Sequence, residues 1–424
     1  MSIGKPHISR RRFSPAYIFM KTTGIVAEFN PLHNGHVYIM EESRSRTDCD
    51  AVVVAMSGNF VQRGEPAILD KWKRTEVALR YGADLVIEIP TLFSLGNAGS
   101  FAKAGVRILE EVGCESFCCG SESGNQAAIS KLANLIKDNK KRIDNEVSAC
   151  IKEGLSYPAA REKAVLGLIS DENTKKAASE ILSNPNDILT LEYMMAANSA
   201  KIVPVERKGA SYDDGFDESK SIQSASGIRE IIKDGRIDLK EKLFSYVPEK
   251  SLSSLIDEDV VFPEDVADLL RYAVLSTDAD IIDECPSGGE GLGNLIKSAV
   301  LYNESFESII MACKSKRYTY TRISRLCMQI LLGIDRRIYS RSGPLYLRVL
   351  GFNKKGRELL SELKTRSEGC LPVITNINKE AEVLSKDAME MLTLDIKASD
   401  VYSLIAGRKI DDYSDHRMKP VIIE

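Results

Sequence analysis

Two histidines three residues apart, His33 and His36, close the segment Gly24-Ile25-Val26-Ala27-Glu28-Phe29-Asn30-Pro31-Leu32-His33-Asn34-Gly35-His36. An apolar run precedes them and a helical pattern follows, so they fall on the first turn of a helix that leaves a β-strand. Free backbone N–H groups and the positive end of the helix dipole favour a phosphate there. Gly35 lets a bulky group such as a purine ring approach the backbone, and Asn30-Pro31 makes the turn that delivers the histidines. The chain has four histidines, and two of them lie in this one turn. A metal pair needs a third ligand, such as the glutamate of H-E-x-x-H, and none stands at a suitable spacing. Phosphate binding is the better reading, and no metal site is expected.

A second group of this kind is Ser224-Ala225-Ser226-Gly227-Ile228-Arg229. Ser224 or Ser226 can cap a helix, and the hydroxyls together with the Arg229 guanidinium can hold a β- or γ-phosphate. Alone, the pattern describes any capped helix with a surface arginine. The nine cysteines are scattered; the cluster Cys114, Cys118, Cys119 lacks the CxxC pairs of a zinc site and reads as free thiols.

These groups need a scaffold. Strand patterns at Thr23–Glu28, Ala51–Met56, Asp84–Ile89, Ser116–Cys119 and Lys201–Val205 alternate with helical ones at Gly35–Ser43, Lys71–Tyr81, Gly99–Val112 and Asn125–Lys137. That alternation predicts a doubly wound parallel sheet covered on both faces, with ligands at the carboxyl ends of the strands. Tyr157–Ala200 reads as helical, broken at Ser183-Asn184-Pro185-Asn186 and inserted before the last strand. From about residue 236 the strand signals fade. We therefore expect residues 20–235 to form an ATP-binding α/β domain and 236–424 a mainly α-helical one, with 1–19 a flexible extension.

Composition narrows the function classes. At 424 residues, 43% hydrophobic and 28% charged, the chain is long enough for two domains and has no low-complexity tract. No apolar run approaches the roughly 18 residues that span a bilayer, so a cytoplasmic enzyme without a membrane or evident protein partner is expected. The net charge is −4, yet Lys314 to Arg366 holds fourteen basic residues against three acidic ones. Within it, Arg317-Tyr318-Thr319-Tyr320-Thr321-Arg322 mixes cations, hydroxyls and aromatics, the types that meet phosphate and unpaired bases. Lys314, Lys316, Arg317, Tyr318, Arg322 and Arg325 are the candidate RNA contacts. Lys71, Lys73 and Arg74 suit either a phosphate or a solvated helix face.

The early HxGH and the late serine-arginine segment resemble the HIGH-type nucleotidyltransferase superfamily. Glu28 to His36, Met56-Ser-Gly-Asn-Phe-Val-Gln-Arg-Gly-Glu-Pro-Ala67 and Lys314-Ser-Lys-Arg-Tyr-Thr-Tyr-Thr-Arg-Ile-Ser-Arg325 are similar, more narrowly, to the bacterial tRNA(Met) cytidine acetate ligases. The resemblance runs from Met20 to the C-terminus. It implies a Rossmann-like fold and a ligase that activates acetate with ATP and Mg²⁺ as acetyl-adenylate, then acetylates N4 of the wobble cytidine of elongator tRNA(Met). It further implies His33 and His36 as catalytic groups and ATP contacts at Val26, Ala27, Glu28, Phe29, Asn30, Pro31, Leu32, His33, Asn34, Gly35, His36, Val37, Tyr38 and Ile39. Gly120, Asn186 and Arg207 complete that set. Relatives often carry Tyr-His-Asp where this chain has Tyr212-Asp213-Asp214. An adenylyl- or cytidylyltransferase making a small cofactor is the alternative; it leaves the basic helical region without a task.

Overall fold

The computed structural model describes residues 20–208, 216–217, 220–235, 238–339, 343–365 and 370–424. Residues 1–19, the Tyr212-Asp213-Asp214 departure, Arg341 and Arg366 lie outside the described residues. Among the described residues there are ten strands: β1 Thr22–Ala27, β2 Ala51–Ser57, β3 Phe60–Val61, β4 Glu65–Pro66, β5 Leu85–Ile89, β6 Ser116–Ser121, β7 Lys201–Glu206, β8 Leu347–Phe352, β9 Val373–Ile374 and β10 Val421–Ile422. The main sheet has the order β10-β8-β5-β2-β1-β6-β7, with β9 beside β8; β3 and β4 form a separate hairpin. The five strands read from the βαβα pattern pair in parallel, with β1 between β2 and β6. The chain thus winds outward in both directions from β1, and the crevice between the carboxyl ends of β1 and β6 is the switch point where such folds bind ligands.

Alternate residues of β2 explain the two layers. Val52, Val54 and Met56 pack with Trp72 and Val77 of the helix Lys71–Arg80. Val53 and Ala55 face the other way, against Phe101, Ile108 and Leu109 of the helix Ala98–Val112. Every residue of β2 and β5 is buried, which is why both read as continuous apolar runs. Between β6 and β7, five helices from Gln126–Asp138 to Pro185–Ala196 gather around their own small core.

The region after 236 is mainly helical in its elements, but it also supplies β8, β9 and β10. β8 runs antiparallel to β5 and extends that side of the sheet, where β10 and β9 pair with it in turn. One continuous core holds Val53 and Leu85 together with Leu326, Leu347 and Tyr402, so packing does not stop at residue 236. β8 escapes the sequence pattern because Leu347-Arg-Val-Leu-Gly-Phe352 carries an arginine that reads as surface charge, whereas Arg348 is buried between Glu88 and Asp415. Lys71 joins the same cluster, its Nζ 2.8 Å from Glu88 and 2.8 Å from Asp415. Arg74 is buried too, donating to the carbonyls of Leu69, Glu28, Ser57 and Gly58. The solvated-face and phosphate readings of Lys71 and Arg74 are therefore both corrected, while Lys73 pairs with Glu258.

Candidate active site

A cavity of about 920 Å³ opens at the carboxyl ends of β1 and β6. His33 and His36 lie on its wall together with Val26, Ala27, Glu28, Phe29, Asn30, Gly35, Tyr38, Ile39, Gly120, Asn186, Arg207, Ser224, Arg229 and Arg325. His33 is the N-cap of the helix Asn34–Thr47, and its ring Nδ1 accepts from the Gly35 N–H at 3.0 Å. The His36 Nδ1 accepts from the His33 N–H at 3.2 Å, a reciprocal capping box made of two imidazoles. The rings lie against each other at a tilt of 36° with centroids 3.9 Å apart, and Phe29, held at a left-handed φ of 49°, meets the His36 ring in a T-shaped contact.

This geometry sets the chemistry. With both Nδ1 atoms accepting backbone N–H bonds, the hydrogen-bond pattern assigns the ring proton to Nε2 in each imidazole. Burial, then the charge of Arg207, pushes His36 down to about 3. Burial, His36, Arg207 and Arg229 hold His33 well below its usual value. Both rings are neutral N–H donors at physiological pH. The expected open N–H groups of the helix start are absent: Asn34 donates to the Tyr246 carbonyl, Gly35 to the His33 ring, and His36 and Val37 to the His33 carbonyl. The groups this turn presents to the cavity are side chains, with the helix dipole behind them.

Gly35 is required by the close ring: a Cβ on it would lie 2.8 Å from His33 Cε1 and 3.1 Å from Ile222. Gly35→Ala should displace the His33 ring and lower the single-turnover rate of the reaction at this site by on the order of a hundredfold, with the melting temperature changed little. A near wild-type rate would show that the ring position does not matter.

Arg229 Nη1 donates to the Asn30 carbonyl at 2.7 Å and its Nη2 lies 3.8 Å from Glu65, so the side chain braces the turn as well as lining the cavity. Ser224 caps the helix Ala225–Asp234 through the Gly227 N–H and sits 3.0 Å from the Ser226 hydroxyl; Ser226 is off the cavity wall. The Arg207 stem lies over Gly120, 3.4 Å from where a Cβ would be. Asn186 is oriented by Glu122, which takes both its side-chain amide and its backbone N–H. Glu28 accepts from Gln62 N–H at 2.7 Å, and burial raises its carboxyl despite that bond and nearby arginines.

Several expected contacts fall elsewhere. Pro31, Leu32, Asn34 and Val37 are not on the cavity wall; Leu32 is core, and the Asn34 amide donates to the Ser245 carbonyl. Tyr318 is buried, its hydroxyl on the Glu290 carbonyl and its ring flanked by Arg317 and Arg322, so it offers no face for a base. Arg317 and Arg322 reach Glu290, and Arg322 also binds the Ser287 and Gly288 carbonyls. These residues clamp the glycine-rich loop. Lys314 and Lys316 remain exposed. Gln62, Arg63, Lys103 and Thr321 line the cavity unannounced; the strings Met56–Ala67 and Lys314–Arg325 held three of them, but nothing in their spacing pointed at the histidines.

A mixed, doubly wound sheet with paired imidazoles at its switch point is the arrangement of a HIGH-type nucleotidyltransferase. The HIGH nucleotidyl transferase family model matches residues 20–417. The chain is 37% identical to a tRNA(Met) cytidine acetate ligase of Clostridium perfringens over 95% of its own length and all of that protein's. A tRNA(Met) cytidine acetate ligase of Caldanaerobacter subterraneus is 37% identical over 91% of this chain and 95% of that one. The apo crystal structure of Thermotoga maritima TmcAL superposes with a TM-score of 0.88 at 29% identity, covering 95% of this chain and 100% of that one. The same protein bound with alpha-thio ATP gives 0.85 at 29% identity, covering 95% and 99%. The chain belongs to the tRNA(Met) cytidine acetate ligase family. Among the described residues no helix is long and apolar enough to cross a membrane.

Proposed function

We propose that the chain activates acetate with ATP and transfers the acetyl group to N4 of the wobble cytidine of elongator tRNA(Met). An acetate oxygen attacks the α-phosphorus, the bond to pyrophosphate breaks, and acetyl-adenylate forms. The cytidine amine then attacks the acetyl carbon, AMP leaves, and one amine proton is lost to solvent. The observation that carries the first step is the pair of backbone-locked imidazoles, whose Nε2–H groups donate to phosphoryl oxygens as charge builds. No covalent enzyme intermediate is needed. Val26 to Ile39, Gly120, Asn186 and Arg207 hold the nucleotide in this reading, with Ser224, Ser226 and Arg229 at its phosphates.

Mg²⁺ is expected with ATP. Among the described residues no group of three or more His, Cys, Asp or Glu could hold a metal, so no residue is assigned to it; Mg²⁺ keeps waters and binds substrate phosphates readily. The tRNA approaches through the exposed Lys314 and Lys316, with Arg317 and Arg322 shaping the loop beside them.

The test is incubation with labelled acetate, ATP and total bacterial tRNA, followed by nucleoside analysis. Labelled N4-acetylcytidine in elongator tRNA(Met) is the expected product. Its absence, or dependence on a phosphorylated cosubstrate in place of acetate, would refute the reading.

A further inference from the structure

Arg74 has four carbonyls, Arg348 two carboxylates, and the half-buried Arg161 lies 2.6 Å from Glu192 on the cavity wall. Arg107, Arg271, Arg348 and Arg408 each keep a buried guanidinium nitrogen without a hydrogen bond, but each has a carboxylate within 4 Å. Arg325 differs in that no carboxylate pairs with it among the described residues. Its Nε is buried without a hydrogen-bond partner among the described residues, and its Nη1 only reaches the Gln62 carbonyl at 3.5 Å. Burial lowers the guanidinium to about 10; Tyr339 opposes this shift, and the cations Arg322 and Arg63 add to it. A buried charge with no counter-ion is costly, and folds retain one where a ligand supplies the opposite charge. Arg325 lines the same cavity as His33 and His36.

Its placement is built. Ser324 Oγ donates to the Gly64 carbonyl at 2.7 Å, and Gly64, at φ +86°, leaves no room for a Cβ, which would lie 2.2 Å from the Arg325 backbone nitrogen. The turn after β3 therefore seats the first turns of the helix Tyr320–Leu332. Gln62 in that turn is bound by Glu28, so two contacts connect Arg325 to the nucleotide segment.

We infer that Arg325 binds a substrate oxyanion in the ATP cavity, either the acetate carboxylate or the terminal phosphates of ATP, and is not an RNA contact. A guanidinium fork suits both anions. This inference rests on the acetate- and ATP-using reading above.

The test uses the full chain and Arg325→Met, an unbranched apolar replacement that leaves no unpaired charge. Acetate-dependent ATP–pyrophosphate exchange without tRNA gives the KM for acetate, and equilibrium dialysis gives the Kd for ATP. At least a tenfold rise in one constant is expected, with an unchanged or higher melting temperature in the ligand-free protein, because a group kept for binding is kept at a cost to stability. A rise for acetate alone assigns the carboxylate; a rise for ATP assigns the phosphates. Wild-type values for both constants overturn the inference, whether or not tRNA acetylation falls or the melting temperature drops. A wild-type chain without acetate-dependent exchange would instead sink the proposed function, while the ATP Kd would still report on Arg325.

Discussion

His36→Ala is expected to lower acetyl-adenylate formation by about 10²- to 10³-fold, the usual effect of removing one preorganised donor to a developing oxyanion. Affinity for tRNA should stay near wild type, because His36 lies on the cavity wall and the exposed Lys314 and Lys316 lie elsewhere. Single-turnover formation of the adenylate and a filter-binding assay with tRNA separate the two. Equal losses in both would mean that the histidine supports the whole fold. The pH profile distinguishes a neutral donor from an imidazolium. His36 is held near 3 and His33 well below its ordinary value, so neither gains a proton between pH 8 and 6. The adenylation rate should show no rise as pH falls through 6.5; an increase there would mean that charged rings do the work. Stability moves too. Below about pH 6.5 the unfolded chain protonates both rings and the native one does not, so the unfolded state binds more protons and stability falls as pH drops through that window.

The histidines to which this chemistry is assigned were legible as a pair because they sit where pattern is strongest. β1, β2 and β5 are short apolar runs flanked by polar turns, and the HxGH string directly follows β1. The capping role of the rings was not legible. Serine, threonine, aspartate and asparagine are the usual N-cap residues, and nothing in the letters says that imidazoles fill that place and take up the N–H groups expected to meet phosphate. Arg325 was visible as a basic residue in a basic stretch. Its seat beside Gln62 depends on the Gly64 turn meeting a helix some 260 residues later in the chain, a long-range contact that periodicity does not encode. The same limit hid β8, whose neighbours in the sheet are set by Arg348 finding Glu88 and Asp415.

Lys71→Met should cost about 3–5 kcal/mol of stability, the range for breaking a buried ion pair from one side. A lysine on a solvated helix face would change stability by less than about 0.5 kcal/mol when replaced, so urea denaturation decides between the two. The large value follows from the count of charges. Lys71 and Arg348 face Glu88 and Asp415, with all four side chains at most 3% exposed. Methionine fills most of the lysine's volume, so little of the loss comes from a cavity. What remains is two carboxylates facing one guanidinium away from water. One of them is expected to take up a proton, as Asp395 illustrates nearby, where burial and Glu88 raise the carboxyl to about 7. A carboxyl whose native value is raised adds stability below its unfolded value and loses it as pH rises through the native one. The Lys71→Met deficit should therefore be larger at pH 8 than at pH 5.5. A deficit independent of pH would mean that lost packing, not the unpaired charge, destabilises the variant. Asp415 is also the point where the last segment of the chain meets the sheet, with Ser399 donating to the same carboxylate oxygen as Lys71. Losing the lysine should accordingly free residues near the C-terminus first, and amide exchange around β10 should quicken before exchange in β1 and β2.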